Sequence, residues 1–214
     1  MSDTRKAPVT IDVMENGPLI VKGLERLTNS RGEAMPTKAS IALCRCGGSQ
    51  NKPFCDGAHK SNGFSGAREI DKPLDRERDY VGTSVTIHDN RTICAHAAHC
   101  VNELESVFKK GGRPWIEPDG DTVEAIDKVI HRCPSGALSY TVDGVRGPER
   151  ERDPEVRIYR DGPLHMVGRI SLNVEEGLQP PDAEQYTLCR CGASKNKPYC
   201  DGSHASAGFE DPDN

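Results

Sequence analysis

The chain has 214 residues, a net charge of −5 and only 5% aromatic side chains. Its acidic and basic residues are interspersed without a long block of one sign, so the composition argues against binding to nucleic acid or to an anionic membrane surface. No stretch approaches the roughly 18 apolar residues of a membrane helix, and the opening MSDTRKAPVT carries no apolar signal segment. We therefore expect a cytoplasmic protein.

Apolar residues are scarce: fewer than one residue in five is Leu, Ile, Val or Phe. At this level a chain has difficulty burying enough surface to fold, so something besides apolar burial is expected to stabilise it. The nine cysteines and seven histidines are the candidates. Because thiols stay reduced in the cytoplasm, the composition favours bound metal over disulfides.

The sequence repeats itself at a fixed offset of 145 residues. Residues 43–59, LCRCGGSQNKPFCDGAH, recur at 188–204 as LCRCGASKNKPYCDGSH, and 13 of the 19 positions from 41 to 59 are identical. The same offset pairs GPL at 17–19 with GPL at 162–164. The repeated unit is therefore a module of about 55 residues rather than a single binding loop.

Each copy begins with alternating apolar and polar residues, around 9–13 and 155–159, which predicts a half-buried strand. Further strands are predicted at LIVKG and LHMVG after the Gly-Pro turn, and at IAL and YTL before the cysteines. Small modules have few ways to cover one apolar face. We therefore predict a β-rich α+β fold in which the modules, 1–70 and 150–214, form an intramolecular pseudo-twofold β-sandwich within a monomer.

Residues 75–148, between the modules, follow a different pattern. They predict a strand at SVTIHDN, a helix at VNELESVFKK, a second helix at TVEAIDKVIHR and a closing strand at LSYTV. This order predicts a small βααβ insertion. Trp115 lies in the turn between the helices and is expected to pack in its core.

Both copies of the repeat carry the pattern CxCx8CxxxH. Three thiolates and one imidazole suit either zinc or an iron-sulfur cluster. Structural zinc sites usually space their cysteines by two to four residues, whereas CxC suits one iron of a binuclear cluster. Asp56 and Asp201 are placed to cap a short helical turn that carries the histidine. Lys52 and Lys197 are expected to be solvated.

The segments CDGAH and CDGSH, each preceded by CxCG, resemble the CDGSH iron-sulfur domain family over about half of the chain. Only Ala58, in place of serine, departs from the motif. The resemblance implies one [2Fe-2S] cluster per module, with two cysteines on the inner iron and a cysteine and a histidine on the outer iron. These ligands would be Cys44, Cys46, Cys55 and His59, and then Cys189, Cys191, Cys200 and His204. A zinc-stapled structural module is the alternative.

The three remaining cysteines, Cys94, Cys100 and Cys133, lie in CAHAAHC and CPSGAL of the middle segment. Bacterial ferredoxins use CxxCxxC with a distant Cys-Pro, and here Ala97 takes the middle position. The segment resembles divergent single-cluster ferredoxin-like domains found beside CDGSH modules in bacteria. Three thiolates suit [3Fe-4S]. A [4Fe-4S] cluster needs a further ligand, for which His96 and His99 are candidates. Both histidines are nevertheless expected to lie beside a cluster without binding its iron. A middle segment without a cluster is the third alternative.

Clusters of two kinds in one small chain predict an electron-transfer protein that acts with a redox partner protein. The alternative is a carrier that hands clusters or iron to an apo-acceptor, or a sensor of redox state and pH. The sequence contains no nucleophile elbow, P-loop or dinucleotide fingerprint, so we expect no enzyme activity of its own.

The histidine ligands predict that acid releases the clusters and that reduction takes up a proton. Imidazole takes up a proton near neutral pH, which iron-bound thiolate does not do so readily. The double variant His59→Cys, His204→Cys should therefore keep its visible absorption to lower pH than the wild type. Unchanged acid lability in a titration followed by absorbance would contradict this role for the histidines.

Overall fold

The computed structural model describes residues 8–214, and these residues are rich in strands and poor in helix. Within this range, the strands form three four-stranded sheets. This content agrees with the predicted β-rich α+β class. The part of the first predicted domain at residues 1–7 lies outside the described residues. Among the described residues, no helix has the length and apolar character that crossing a membrane requires.

The elements follow the repeat. The first module contains β1 (Thr10–Val13), β2 (Leu19–Lys22), β3 (Leu27–Thr28) and β4 (Ser40–Leu43). The middle segment contains β5 (Arg78–Val81), β6 (Thr86–Asp89), α1 (His99–Glu103), α2 (Val123–Ile130), β7 (Leu138–Val142) and β8 (Val145–Arg146). The second module contains β9 (Glu155–Ile158), β10 (Leu164–Val167), β11 (Ser171–Asn173), β12 (Gln185–Leu188) and α3 (Ser203–Ser206).

Each module gives one strand to the sheet of the other. The first sheet has the order β11-β1-β2-β4 and the second has the order β12-β10-β9-β3. Strand β11 pairs parallel to β1, with Leu172 opposite Ile11, and β3 pairs parallel to β9, with Leu27 opposite Val156. The sequence patterns did not predict β3 and β11, because two or three residues are too few to show a period and their pairing depends on the other module.

The two sheets share one apolar core. It includes Ile11, Leu19, Val21 and Leu43 from the first sheet and Val156, Ile158, Leu164 and Leu188 from the second. All of these side chains are at most 2% exposed. A shared core with exchanged strands means that each module completes the buried surface of the other, since each sheet alone has one apolar face to cover.

The middle segment is built on the antiparallel sheet β5-β6-β7-β8, in which Ile87 lies opposite Tyr140. Helix α2 begins after Thr122, whose hydroxyl accepts a hydrogen bond from the Ala125 N–H at 3.3 Å. Buried side chains of α2, Ile126 among them, pack with Ile87 and Tyr140 in a second core. The predicted second helix and closing strand match α2 and β7, and strands β5 and β8 extend the predicted order at either end.

The first predicted helix of this segment is wrong beyond Glu103. The chain leaves α1 and turns back, so that Phe108 pairs with Ile116 and the Lys109 N–H donates to the Trp115 carbonyl at 2.7 Å. This pairing takes the hydrogen bonds that a longer helix would need. Trp115 is half-buried and packs on the second core, with its ring 5.9 Å from that of Phe108.

A buried carboxylate joins the modules where β3 meets β9. The Thr28 hydroxyl donates to Glu155 Oε1 at 3.0 Å, and the Arg157 guanidinium donates twice to Glu155 Oε2, at 3.0 and 2.8 Å. Burial acts to raise the pKa of Glu155, but the hydrogen bonds from Arg157 and Thr28 outweigh it and lower the pKa below its ordinary value. The stability that Glu155 contributes is therefore present above its ordinary pKa and lost as pH falls through the lowered one.

Glu155→Gln should lower the free energy of unfolding at pH 7 by about 1–2 kcal/mol, which lowers the midpoint of thermal unfolding by about 3–6 °C. The difference from the wild type should shrink below pH 4.5, the ordinary pKa of the carboxyl group. Glu149→Gln, which removes an exposed ion pair with Arg169, is the control for loss of charge. Circular dichroism measures both midpoints. Equal decreases of the midpoint in the two variants would show that the buried junction contributes no more stability than an exposed ion pair.

Candidate metal centres

The repeated loops form two candidate metal sites. Site 1 consists of Cys44, Cys46, Cys55 and His59, and site 2 consists of Cys189, Cys191, Cys200 and His204. The middle site consists of Cys94, Cys100 and Cys133. All nine cysteines lie in the described part of the chain, and each is a free thiol there.

The donors of sites 1 and 2 lie in close pairs. The distances within the pairs are 3.8 Å for Cys44 Sγ to Cys46 Sγ, 3.5 Å for Cys55 Sγ to His59 Nδ1, 3.6 Å for Cys189 Sγ to Cys191 Sγ and 3.4 Å for Cys200 Sγ to His204 Nδ1. Two donors on one tetrahedral metal, with bonds of about 2.3 Å to sulfur and about 2.0 Å to nitrogen, lie about 3.5–3.8 Å apart. Each pair therefore fits coordination to one metal atom.

The described residues contain no group of three or more His, Cys, Asp or Glu side chains arranged to hold a single metal ion. Each of the four donor pairs is formed by residues two or four positions apart in the sequence.

Backbone hydrogen bonds continue the sheets into the loops and bring the distant cysteines together. In site 1, the Cys44 N–H donates to the Pro53 carbonyl at 2.7 Å and the Cys55 N–H donates to the Ala42 carbonyl at 2.8 Å. Site 2 repeats this pattern at Cys189 and Cys200. The loop is thus a hairpin extension of β4 or β12, which places the CxC pair beside the Cys–His pair.

The aspartate of each motif ties both sides of its loop. Asp56 accepts from the Ala58 N–H at 3.0 Å and from the Gln50 N–H at 2.8 Å. Asp201 accepts from the Ser203 N–H at 3.0 Å and from the Lys195 N–H at 2.9 Å. The predicted bond to the helical turn is present in both copies. The second bond, across the loop, was not predicted; together these hydrogen bonds lower the pKa of Asp56.

Burial makes the thiols of site 2 dependent on a cation. Cys189 and Cys200 are 1% and 2% exposed. Burial raises the pKa of Cys200 to about 12, so its thiol stays neutral unless a cation compensates it. A hydrogen bond from Cys191 lowers the pKa of Cys189 and correspondingly raises that of Cys191, so the pair does not lose both protons easily. A bound metal would convert all three groups to thiolates, and this donor set fits that role.

The two CxC segments touch through their backbones. Cys46 and Cys191 form an antiparallel bridge between the modules. Gly47 and Gly192 follow these cysteines with φ of +75° and +82°. A Cβ on Gly192 would lie only 2.7 Å from the Cys46 carbonyl oxygen, and one on Gly47 would meet the Cys191 carbonyl equally closely. Glycine is required at both positions, both for the backbone angle and for the space.

A buried arginine lies between the two cysteines of each CxC segment, and sequence analysis did not single it out. Arg45 is 2% exposed and donates to the Gly17 carbonyl at 2.9 Å. Arg190, also 2% exposed, donates to the Gly162 carbonyl at 2.7 Å and pairs with Asp211. The repeated CRC sequence, together with the repeated Gly-Pro turn, was the signal for this contact. The two arginines fix the donor loops to the turns that precede β2 and β10.

The three cysteines of the middle segment line one cavity of about 290 Å³. Burial, and charge on Cys133 and Cys94, raise the pKa of Cys100 to about 11. Burial likewise raises the pKa of Cys133. The Arg91 guanidinium lies 3.6 Å from Cys94 Sγ. Three thiols that line one cavity beside a cation fit an anionic polynuclear cluster.

Both histidines of CAHAAHC also line this cavity. His99 uses both ring nitrogens, with Glu103 Oε1 at 2.9 Å from Nδ1 and the Tyr159 hydroxyl at 3.3 Å from Nε2. His96 packs against Gly202 of site 2. Both ring nitrogens of His99 are therefore occupied by protein groups.

Comparison with known proteins agrees with these sites. A family model described as "Iron-binding zinc finger CDGSH type" matches residues 16–60 and 161–205, and one described as "Divergent 4Fe-4S mono-cluster" matches residues 80–143. The protein named "Uncharacterized protein YjdI" from Escherichia coli strain K12 is 41% identical over 63 residues, which are 29% of this chain and 83% of the relative. The protein of that name from Escherichia coli O157:H7 matches equally well.

No solved structure matches the chain. The two matched segments of the CDGSH model contain all eight donors of sites 1 and 2, and the mono-cluster model spans the three middle cysteines. The chain therefore belongs to the CDGSH iron-sulfur family, with two CDGSH modules and a divergent 4Fe-4S mono-cluster domain between them.

Proposed function

We propose that this iron-sulfur protein transfers electrons, with one [2Fe-2S] cluster in site 1, one in site 2 and a [3Fe-4S] cluster in the middle site. A [4Fe-4S] cluster is the alternative in the middle site. The observation that carries the proposal is the pairing of donors at 3.4–3.8 Å in both loops. When bound, such clusters supply one-electron redox chemistry.

The donor assignment follows from the pairs. In each loop the two CxC thiolates would hold the inner iron, and the later cysteine and histidine would hold the outer iron, as the family resemblance implies. Imidazole in place of a thiolate lowers the negative charge on the site, which makes reduction easier. The buried guanidinium group of Arg45 acts in the same direction, because a positive charge near the site favours the more negative, reduced state, whereas Asp211 offsets the charge of Arg190.

The fold supports electron transfer by holding the sites rigidly and close together. Site 1 contacts site 2 through the Cys46–Cys191 bridge. Site 2 contacts the middle segment through Gly202 and His96. Charge on Cys94 of the middle site also contributes to the raised pKa of Cys200. The three sites thus form a series in the order site 1, site 2, middle site.

The proposed architecture is the predicted intramolecular pseudo-twofold sandwich, with domains at 1–70, 75–148 and 150–214. The exchanged strands and the shared core support it. Because the second module supplies the pairing surface that a second chain would otherwise provide, we propose a monomer. In this proposal the chain exchanges electrons with a redox partner protein in the cytoplasm. It has no catalytic residues of its own.

A carrier of clusters or iron, or a sensor of redox state and pH, is the second candidate function. The observation that favours it is the partial exposure of Cys55 and His59, which leaves the outer donor pair of site 1 open to competing ligands. Anaerobic incubation with an apo-ferredoxin separates the two functions. Electron transfer predicts stable clusters that dithionite reduces and air reoxidises, whereas a carrier loses an intact [2Fe-2S] cluster to the acceptor within minutes.

Metal analysis tests the cofactors. Protein purified without oxygen should be red-brown and contain about seven iron atoms and about eight sulfides per chain, as two binuclear clusters and one trinuclear cluster require. The oxidised protein should show the electron paramagnetic resonance signal of a three-iron cluster. About eight irons with a silent oxidised spectrum would assign [4Fe-4S] to the middle site, and about four irons would leave that site empty. Colourless protein with zinc would refute the proposal and establish a structural role.

A further inference from the structure

The two donor loops have nearly the same sequence but differ in burial. Asn51 of site 1 is exposed, whereas the equivalent Asn196 of site 2 is 0% exposed. Cys55 is half-buried, whereas Cys200 is 2% exposed. The expectation that both lysines are solvated is wrong for Lys197, which is 4% exposed. Residues identical in the repeat thus have different surroundings, so the difference comes from what packs on them.

The end of the first module covers the loop of site 2. Arg68 Nε donates to Asn196 Oδ1 at 2.8 Å, and the Glu69 N–H donates to the Lys195 carbonyl at 2.8 Å. The Glu69 carboxylate also lies 3.7 Å from Lys197 Nζ. These contacts place residues 68–69 directly over the loop between Cys191 and Cys200.

The middle segment covers the same loop from a second direction. Asn196 Nδ2 donates to the Thr92 carbonyl at 2.7 Å. The His96 ring packs so closely on Gly202 that a Cβ there would lie 2.7 Å from its Cδ2 atom. The side chain of Asn196 therefore joins the loop of site 2 to two other parts of the chain, the end of the first module and the middle segment.

The loop of site 1 makes longer contacts with the rest of the chain. Asn214 Nδ2 donates to the Lys52 carbonyl at 3.3 Å, and Lys52 Nζ lies 6.0 Å from the centre of the Phe209 ring. Gln50, Asn51 and Asp56 remain exposed in the described part of the chain. Cys55, the cysteine of the outer donor pair of site 1, is therefore partly accessible to solvent.

We infer that the twin sites have different roles: site 1 exchanges electrons with a redox partner protein, and site 2, which is covered on the side of Cys200, is a relay between site 1 and the middle site. This inference rests on the proposed electron transfer and adds to it the point of entry. Each transfer moves one electron, so that the donor site is oxidised and the acceptor site is reduced, and no bond forms or breaks. A partner can approach Cys55 of site 1 directly, whereas in site 2 residues 68–69 and 92–96 cover the side of Cys200 and leave His204 as half-buried as His59.

Release of cluster iron to EDTA tests the difference in access. Holoprotein under anaerobic conditions at pH 7.5 should lose its [2Fe-2S] absorption in two phases of equal amplitude, with rates that differ by about tenfold or more. Asn196→Ala, which cuts the bonds to Arg68 and Thr92, should speed the slow phase and leave the fast phase unchanged. The matched control Asn51→Ala, at the same position of the repeat, should leave both phases unchanged. A single phase in the wild type, or no effect of Asn196→Ala, would overturn the inference.

Hydrogen exchange of the wild-type holoprotein provides a measurement that needs no variant. Mass spectrometry should show faster exchange of backbone amides at residues 50–54 than at 195–199, and equal exchange would overturn the inference. Failure of the proposed function is recognised separately. In that case dithionite fails to reduce the clusters, whatever the two loops show in EDTA and exchange experiments.

Discussion

The contact between residues 44–48 and 189–193 sets the positions of the donors in both twin sites. There the backbones at Cys46 and Cys191 pair directly, which only glycine at the following positions permits. The close approach also brings the buried charge of Arg45 within electrostatic range of Cys189 in the other module. Each site is therefore influenced by the electrostatics of both modules, although its donors come from one.

Burial of thiols links the metal to the stability of the fold. Cys44, Cys189 and Cys200 are buried as deeply as the apolar core around them. As neutral thiols they contribute little beyond their small apolar surface, whereas as metal ligands they close loops that otherwise depend on a few hydrogen bonds. In a chain with so few large apolar residues, bound metal thus adds to the stabilisation by the apolar core. It does so at the ends of the sheets, because both donor loops extend directly from β4 and β12.

Sequence patterns predicted the parts of this structure that depend on local chemistry. The repeat located both donor sets, and alternation located β1 and β9, because period and spacing are properties of a short segment. Long-range contacts were not predictable in this way. The exchange of β3 and β11 depends on a partner in the other module, and the burial of Lys197 depends on Glu69, which has no special pattern around it. Arg45 and Arg190 are intermediate, since CRC is visible twice but an arginine is ordinarily expected to face water.

The covalent link between the modules has an evolutionary consequence. In a symmetric assembly of identical chains, every substitution is present on both sides of the axis, so the two sides cannot specialise. Here one polypeptide encodes both halves, and selection can act on Asn51 and Asn196 separately even though they began as copies. One half can therefore carry a covering segment while its twin keeps an exposed loop.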